Sequence, residues 1–268
     1  MSARSDLWGG SSGIQLAVAA VTDAGLKREV NEDSYLAEPP VFLVADGMGG
    51  YEAGDRASAA VVAAFRGRLQ GREFAAVDDV RDALLAADDE VAAVASRTSR
   101  GAGSTAAGMV LVQYAGAPHW LVFNVGDSRV YRHVDGVLEQ LTVDHSLAQE
   151  LIQSGELRPE DLATFTDRNV ITRAIGAPES LADSWLLPVV DGERFLVCSD
   201  GLHSEIGDEG IRTVLMTRGD PEAAATDLLA LAIEQGGRDN ISIIVLDVIA
   251  VGGSTIVSID DLADTITV

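Results

Sequence analysis

The sequence predicts an α+β fold built on antiparallel sheets. Three observations carry this. Apolar runs come in adjacent groups instead of alternating singly with helices. Two long amphipathic segments stand together after the first group. Several runs are apolar at every position, as strands covered on both faces are. With 268 residues, 47% of them hydrophobic, the chain can bury the core of one large domain.

The elements follow in order. Residues 1–13, MSARSDLWGGSSG, are small and polar and are expected to be mobile. IQLAVAAVTD (14–23) and YLAEPPVFLVAD (35–46) read as strands. In GDRASAAVVAAFRGRLQ (54–70), Val61, Val62, Phe65 and Leu69 share one helical face, and VDDVRDALLAADDEVAAVA (77–95) repeats the pattern. STAAGMVLVQYA (104–115), HWLVFNVGD (119–127) and SRVYRHVDGVLEQLT (128–142) are strand candidates, the last a hairpin turning at Asp135-Gly136. RFLVCSD (194–200) and NISIIVLDVI (240–249) close the set. Before the final strand, GDPEAAATDLLALAIEQGG is a helix with Asp220 as N-cap, Pro221 in the first turn and Gly236-Gly237 as the stop. Residues 250–268 lack a helical period and are expected to form a tail or an added edge strand.

Charge and cysteine content narrow the function. A net charge of -23 speaks against nucleic acid and anionic membrane surfaces as partners, since too few cations are available to neutralise phosphates. The one cysteine, Cys198, allows no intrachain disulfide and suits a reducing compartment. With neither a secretory leader pattern nor an apolar run long enough to span a bilayer, a cytoplasmic protein is expected. Gly101, Gly103 and Ala106 match G-x-G-x-x-A, but the motif precedes a strand instead of opening a helix, so nucleotide binding is rejected.

The informative residues are aspartates. VFLVADGMGG (41–50) is an apolar run that ends in a charge and then glycine. One Asp-Gly pair is ordinarily a turn. Here, however, Asp46, Asp127, Asp200 and Asp239 each lie at one end of an apolar run within two residues of a glycine, and Asp33 begins another. Carboxylates gathered at one sheet rim repel unless cations sit between them. All the donors are oxygen, and the four histidines are scattered, so Mg²⁺ or Mn²⁺ is expected instead of zinc. Two such ions can share a bridging water, lower its pKa and direct it at phosphorus. Arg28, five residues before Asp33, is a candidate clamp for the phosphate.

These blocks carry a family resemblance. REVNED, VADGMGG, GSTAAG, FNVGDSRVYR, LTVDHS, NVITRAIG, CSDGL and GGRDNISIIV occur in the order found in the metal-dependent type-2C (PPM) protein serine/threonine phosphatases, in their bacterial form, and cover residues 14–249. The resemblance implies a four-layer α-β-β-α sandwich of two antiparallel sheets flanked by helix pairs, with Mn²⁺ or Mg²⁺ at one end. Its domain plan is a flexible 1–13, a catalytic domain 14–249 with a flap at about 144–172, and a tail 250–268. Carried over by position, Asp46 bridges two core ions and Gly47 offers its carbonyl. Asp33 serves the first ion, and Asp200 and Asp239 serve the second. Asp127 holds a third ion with Asp200. Asp46 and Asp239 are then the catalytic carboxylates, Glu32 acts through a water, Asn240 orients Asp239 or a water, and Arg28 holds the substrate phosphate.

Two departures from the family pattern stand out. Animal members carry a histidine directly after the Asp-Gly pair, where this chain has Met48, as bacterial members do, so the general acid is unassigned. An acidic residue is usual where Ser204 stands, and His203 precedes it. The implied function is hydrolysis of phosphoserine and phosphothreonine in proteins by a metal-bridging water, by a monomer opposing a bacterial Ser/Thr kinase. The alternatives are a phosphatase dedicated to one regulator, such as an anti-sigma-factor antagonist, and an inert pseudophosphatase acting as a binding module.

Overall fold

A computed structural model describes residues 4–49, 53–178 and 180–252. In chain order the strands and helices are β1 (Arg4–Gly9), β2 (Gln15–Asp23), β3 (Asp33–Glu38), β4 (Val41–Met48), α1 (Gly54–Leu69), α2 (Val77–Ala95), β5 (Gly103–Ser104), β6 (Ala106–Tyr114), β7 (Ala117–Val125), β8 (Arg129–Val134), β9 (Val137–Gln140), α3 (Leu147–Ser154), β10 (Asp183–Pro188), β11 (Arg194–Cys198), α4 (Asp200–Thr217), α5 (Pro221–Gln235) and β12 (Ile241–Ala250). A 3₁₀ turn at Pro159–Thr164 follows α3.

Two antiparallel sheets result. One runs β1-β2-β12-β11-β8-β9, and the other runs β10-β7-β6-β4-β3 with β5 paired to the end of β4. The all-apolar strands have this composition because each face meets a different layer. In β4, Phe42 and Val44 point between the sheets with Met109, Trp120 and Phe195, while Leu43 and Ala45 meet Val61 and Phe65 of α1. In β12, Ile244 and Leu246 face the other sheet, while Ile243 and Val245 meet Leu202, Ile211 and Leu228 of α4 and α5. Each fully buried side chain of this kind contributes about 1.5–3 kcal/mol. The layers are therefore helix pair, sheet, sheet, helix pair.

Local signals acted as expected in several places. Asp220 accepts from the Ala223 N–H at 2.8 Å and caps α5. Asp135 and Gly136 both adopt positive φ, as the hairpin between β8 and β9 requires. Elsewhere the structure differs. Residues Arg4–Gly9, expected to be mobile, pair with β2 as an edge strand. The run 35–46 is two strands, because Pro39-Pro40 cannot continue the ladder and forms the turn of a hairpin. β10, α3 and α4 were not readable from the residues. β12 extends through Ala250, one residue past the expected catalytic boundary, and the proposed tail from residue 253 onward lies outside the described residues. No helix among the described residues is long and apolar enough to cross a membrane.

Candidate active site

Strand pairing brings all five sequence-predicted aspartates to one rim. Asp33 opens β3 and stands directly opposite Asp46 near the end of β4. The start of β6 lies beside the end of β4 and also beside the end of β7, after which Asp127 follows. The end of β11 and the start of β12 adjoin, so Asp200 and Asp239 face that rim from the other sheet.

Like charges directly opposite across a strand pair destabilise it. Burial sharpens the problem. The Asp33 carboxyl is pushed up to about 7, first by burial and then by the charges of Asp200 and Asp239, against the hydrogen bond from Ser199. Burial and then Asp239 raise Asp200 to about 6. Asp46 and Asp127 are raised too, by burial first and by neighbouring carboxylates second. Asp46 and Asp200 keep part of their surface open to solvent, yet dense protein around both carboxylates withholds most of the water that would stabilise charge. Asp33 Oδ1, Asp127 Oδ1 and Asp200 Oδ1 are buried with no hydrogen-bond partner among the described residues. Orphaned carboxylate oxygens at close quarters are costly as they stand, and a hard divalent cation is the group that satisfies them. The donor set therefore fits Mn²⁺ or Mg²⁺. Among the described residues, no three Asp, Glu, His or Cys side chains are already closed around one point. The rim is an open set of donors, and Arg28 bonds one of them, Asp239.

The Arg28 Nη2 donates to Asp239 Oδ2 at 2.7 Å from a half-exposed position. Its pKa is raised by that bond, against burial, and further by the charges of Asp46 and Glu32. A cation thus sits at the carboxylate rim. Gly47 is where β4 meets the start of α1: a Cβ there would lie 1.9 Å from the Gly54 carbonyl oxygen and 2.7 Å from that of Glu32. Glu32 is tied down by its backbone. Its N–H donates to Asn240 Oδ1 at 2.8 Å, and its carbonyl accepts from the Ser58 hydroxyl at 2.6 Å. Asn240, expected to orient Asp239 or a water, bonds Asp239 through its backbone and braces a neighbouring loop with its side chain. The side chain donates to the Ala24 and Val30 carbonyls before β3, and the backbone N–H donates to Asp239 Oδ1.

Ser199, His145 and Arg129 were not singled out from the sequence as site residues, whereas His203 was noted there beside Ser204. Ser199 donates to Asp33 Oδ2 at 2.7 Å and stabilises its charge. His145 Nδ1 accepts from the Gly126 N–H, its own N–H donates to the Gly126 carbonyl, and its Nε2 meets Asp183 at 3.1 Å, so it shapes the Asp127 turn. His203 donates from Nε2 to the Asp127 carbonyl at 3.0 Å. Arg129 forks onto Asp144. None has a local signal beyond lying next to an aspartate block, because their partners are far away in sequence. The segment 144–172 leaves and returns side by side through the Ser146–Ile171 bridge. Between it and α4 lies a cleft of about 670 Å³, lined by Asp127, Gln149, Ile152, Asp200 and His203 among others.

The sequence profile of protein phosphatase 2C matches residues 27–223 of this chain. The chain belongs to the protein phosphatase 2C family. Serine/threonine protein phosphatase PstP of Mycobacterium tuberculosis is 36% identical over 244 residues, which is 87% of this chain and 45% of PstP, so the chain spans about half the length of that relative. Serine/threonine phosphatase stp of Listeria monocytogenes is 29% identical over 239 residues, covering 84% of this chain and 93% of stp. The crystal structure of M. tuberculosis PstP/Ppp superposes with a TM-score of 0.80 at 32% identity, over 88% of this chain and all of that one. A catalytic domain of PstP in complex with two manganese ions gives 0.78 at 32% identity, over 88% and 99% of the two chains. The sandwich expected from the sequence is thus the phosphatase 2C fold. The matched span ends before Asp239 and Asn240, which the pairing of β12 with β11 brings to the rim.

Proposed function

We propose that this chain is a Mn²⁺- or Mg²⁺-dependent protein serine/threonine phosphatase that hydrolyses phosphoserine and phosphothreonine in proteins and opposes a Ser/Thr kinase. One observation carries the reading: Asp33 faces Asp46 at a rim where buried carboxylate oxygens of Asp33, Asp127 and Asp200 lack partners among the described residues. In this reading Asp46 and the Gly47 carbonyl would help hold two core ions, with Asp33 serving the first and Asp200 and Asp239 serving the second. Asp127 and Asp200 hold a third. When bound, the ions neutralise charge on the phosphoryl oxygens and acidify a water. The similarity to a manganese-bound PstP catalytic domain supports this metal preference.

The chain's own residues do the rest. Arg28, which bonds Asp239 at the rim, would hold the substrate phosphate with its guanidinium. Glu32, fixed by Asn240 and Ser58, orients water at the rim. The leaving alkoxide must gain a proton. Met48 carries none, and the His203 Nε2–H is committed to a carbonyl, so the proton comes from water in the site. The segment 144–172 serves as a flap over the cleft beside Asp200. The deciding experiment is hydrolysis of a phosphothreonine peptide and of p-nitrophenyl phosphate with and without Mn²⁺. Manganese-dependent release of phosphate from both is expected, and inertness toward both would leave a binding module.

A further inference from the structure

The helix that begins at Asp200 is broken at Gly207, where φ is 62° and ψ is 172°. Asp200–Ile206 is therefore a short piece with its own orientation. Leu202 anchors it in the core beneath α5. Gly201 packs so closely on the start of β12 that a Cβ would lie 2.0 Å from the Asn240 carbonyl oxygen. From this fixed piece, side chains reach two other aspartate-bearing loops. His203 donates from Nε2 to the Asp127 carbonyl at 3.0 Å. Glu205, whose side chain is 3% exposed, accepts three bonds from Arg238: the backbone N–H at 2.8 Å and Nε at 2.9 Å on Oε1, and Nη2 at 2.7 Å on Oε2. Arg238 directly precedes Asp239. The Asp127 carbonyl can only accept, so the His203 ring carries a proton on Nε2 in this contact.

We propose that Asp200–Ile206 is a positioning brace, in which His203 sets the Asp127 turn and Glu205 sets the Asp239 turn at fixed distances from Asp200. The proposal rests on the reading of these aspartates as ion ligands. Mutually repelling carboxylates on three separate loops relax apart when nothing holds the loops, and each ion must then reassemble them at the expense of its affinity. Neither contact touches a carboxylate of the rim. One grips a backbone carbonyl and the other a neighbouring arginine together with its backbone, so the brace acts on where the loops sit. Outer partners of this kind typically change metal affinity by about 10–100-fold.

The test uses the full chain and the variants His203→Phe, which keeps a ring without the donor, His203→Gln, which restores a donor, and Glu205→Leu. Hydrogen exchange by mass spectrometry is measured on metal-stripped protein, and Mn²⁺ affinity by calorimetry. His203→Phe should speed exchange around residues 126–129 but not 236–240 and weaken Mn²⁺ binding about tenfold. His203→Gln should restore most of both, and Glu205→Leu should show the converse segment pattern. Should His203→Phe fail to fold, Glu205→Leu carries the same test. Wild-type Mn²⁺ affinity in both variants, even with lowered thermal stability, overturns the brace and leaves these residues merely structural. So does a loss that Gln fails to restore. Asp127→Ala and Asp239→Asn run alongside: if they bind Mn²⁺ like wild type, it is the ligand reading that falls, and the brace with it. If they lose Mn²⁺ while the brace variants keep it, the brace falls alone.

Discussion

Asp33→Asn should stabilise the metal-free protein while weakening its response to metal. The Asp33 carboxyl is raised from 3.8 to about 7, chiefly by burial and then by Asp200 and Asp239. A raised carboxyl binds its proton more tightly in the folded state than in the unfolded one. Folding is therefore favoured below the unfolded pKa of 3.8 and loses stability as pH rises to about 7, above which the loss is complete. Roughly three pH units at about 1.36 kcal/mol each set a penalty of about 4 kcal/mol at pH 8. Asparagine does not ionise, and its Oδ1 can still accept from Ser199, which now donates to Asp33 Oδ2. In EDTA, the stability difference in favour of the variant should be near zero at pH 4, open between pH 4 and 7, and stay flat above. At about 2–4 °C per kcal/mol for a chain of this size, the variant should melt roughly 8–16 °C higher at pH 8. Saturating Mn²⁺ should stabilise the wild type more than the variant, which lacks the Asp33 carboxylate for one of the ions. Differential scanning calorimetry at pH 4, 6 and 8, with EDTA and with Mn²⁺, reads all of this. A variant less stable than wild type at pH 8 in EDTA, or a difference that does not change with pH, would refute the account of the rim as mutually repelling buried charge.

Other expectations concern turnover. Asp46→Asn and Asp239→Asn should each lower kcat about a thousandfold, a few kcal/mol of transition-state stabilisation, with the circular dichroism spectrum unchanged; more than a tenth of the activity remaining would mean the wrong carboxylates were chosen. Arg28→Lys should raise KM for a phosphopeptide more than it lowers kcat, since a point charge replaces a two-pronged fork, and an unchanged KM would leave Arg28 only its bond to Asp239. Asp127→Ala should slow phosphopeptide hydrolysis more than p-nitrophenyl phosphate hydrolysis at saturating Mn²⁺, because nitrophenolate leaves with little protonation; equal losses would exclude a leaving-group role.

Much of this protein is determined by local sequence. A run that is apolar at every position must be covered on both faces, which specified the central strands β4, β6, β7, β11 and β12 and hence a layered sandwich. The Asp220 cap and the Asp135-Gly136 turn act within a few residues of themselves and need no tertiary context. The aspartates were visible because a charge at the end of an apolar run is conspicuous wherever it stands. Tertiary structure decided what no local pattern encodes. α4 escaped notice because its break at Gly207 divides one helical period into two short pieces out of phase. β1 and β10 are edge strands: β1 carries only two large apolar residues, and the apolar run of β10 is broken by Pro188. That Asp33 faces Asp46 follows from the register of β3 against β4, and that His203 grips Asp127 follows from contacts 76 residues apart along the chain. Which carboxylate oxygens end up buried and unpartnered depends on every layer being in place, because desolvation is a property of the whole packed rim.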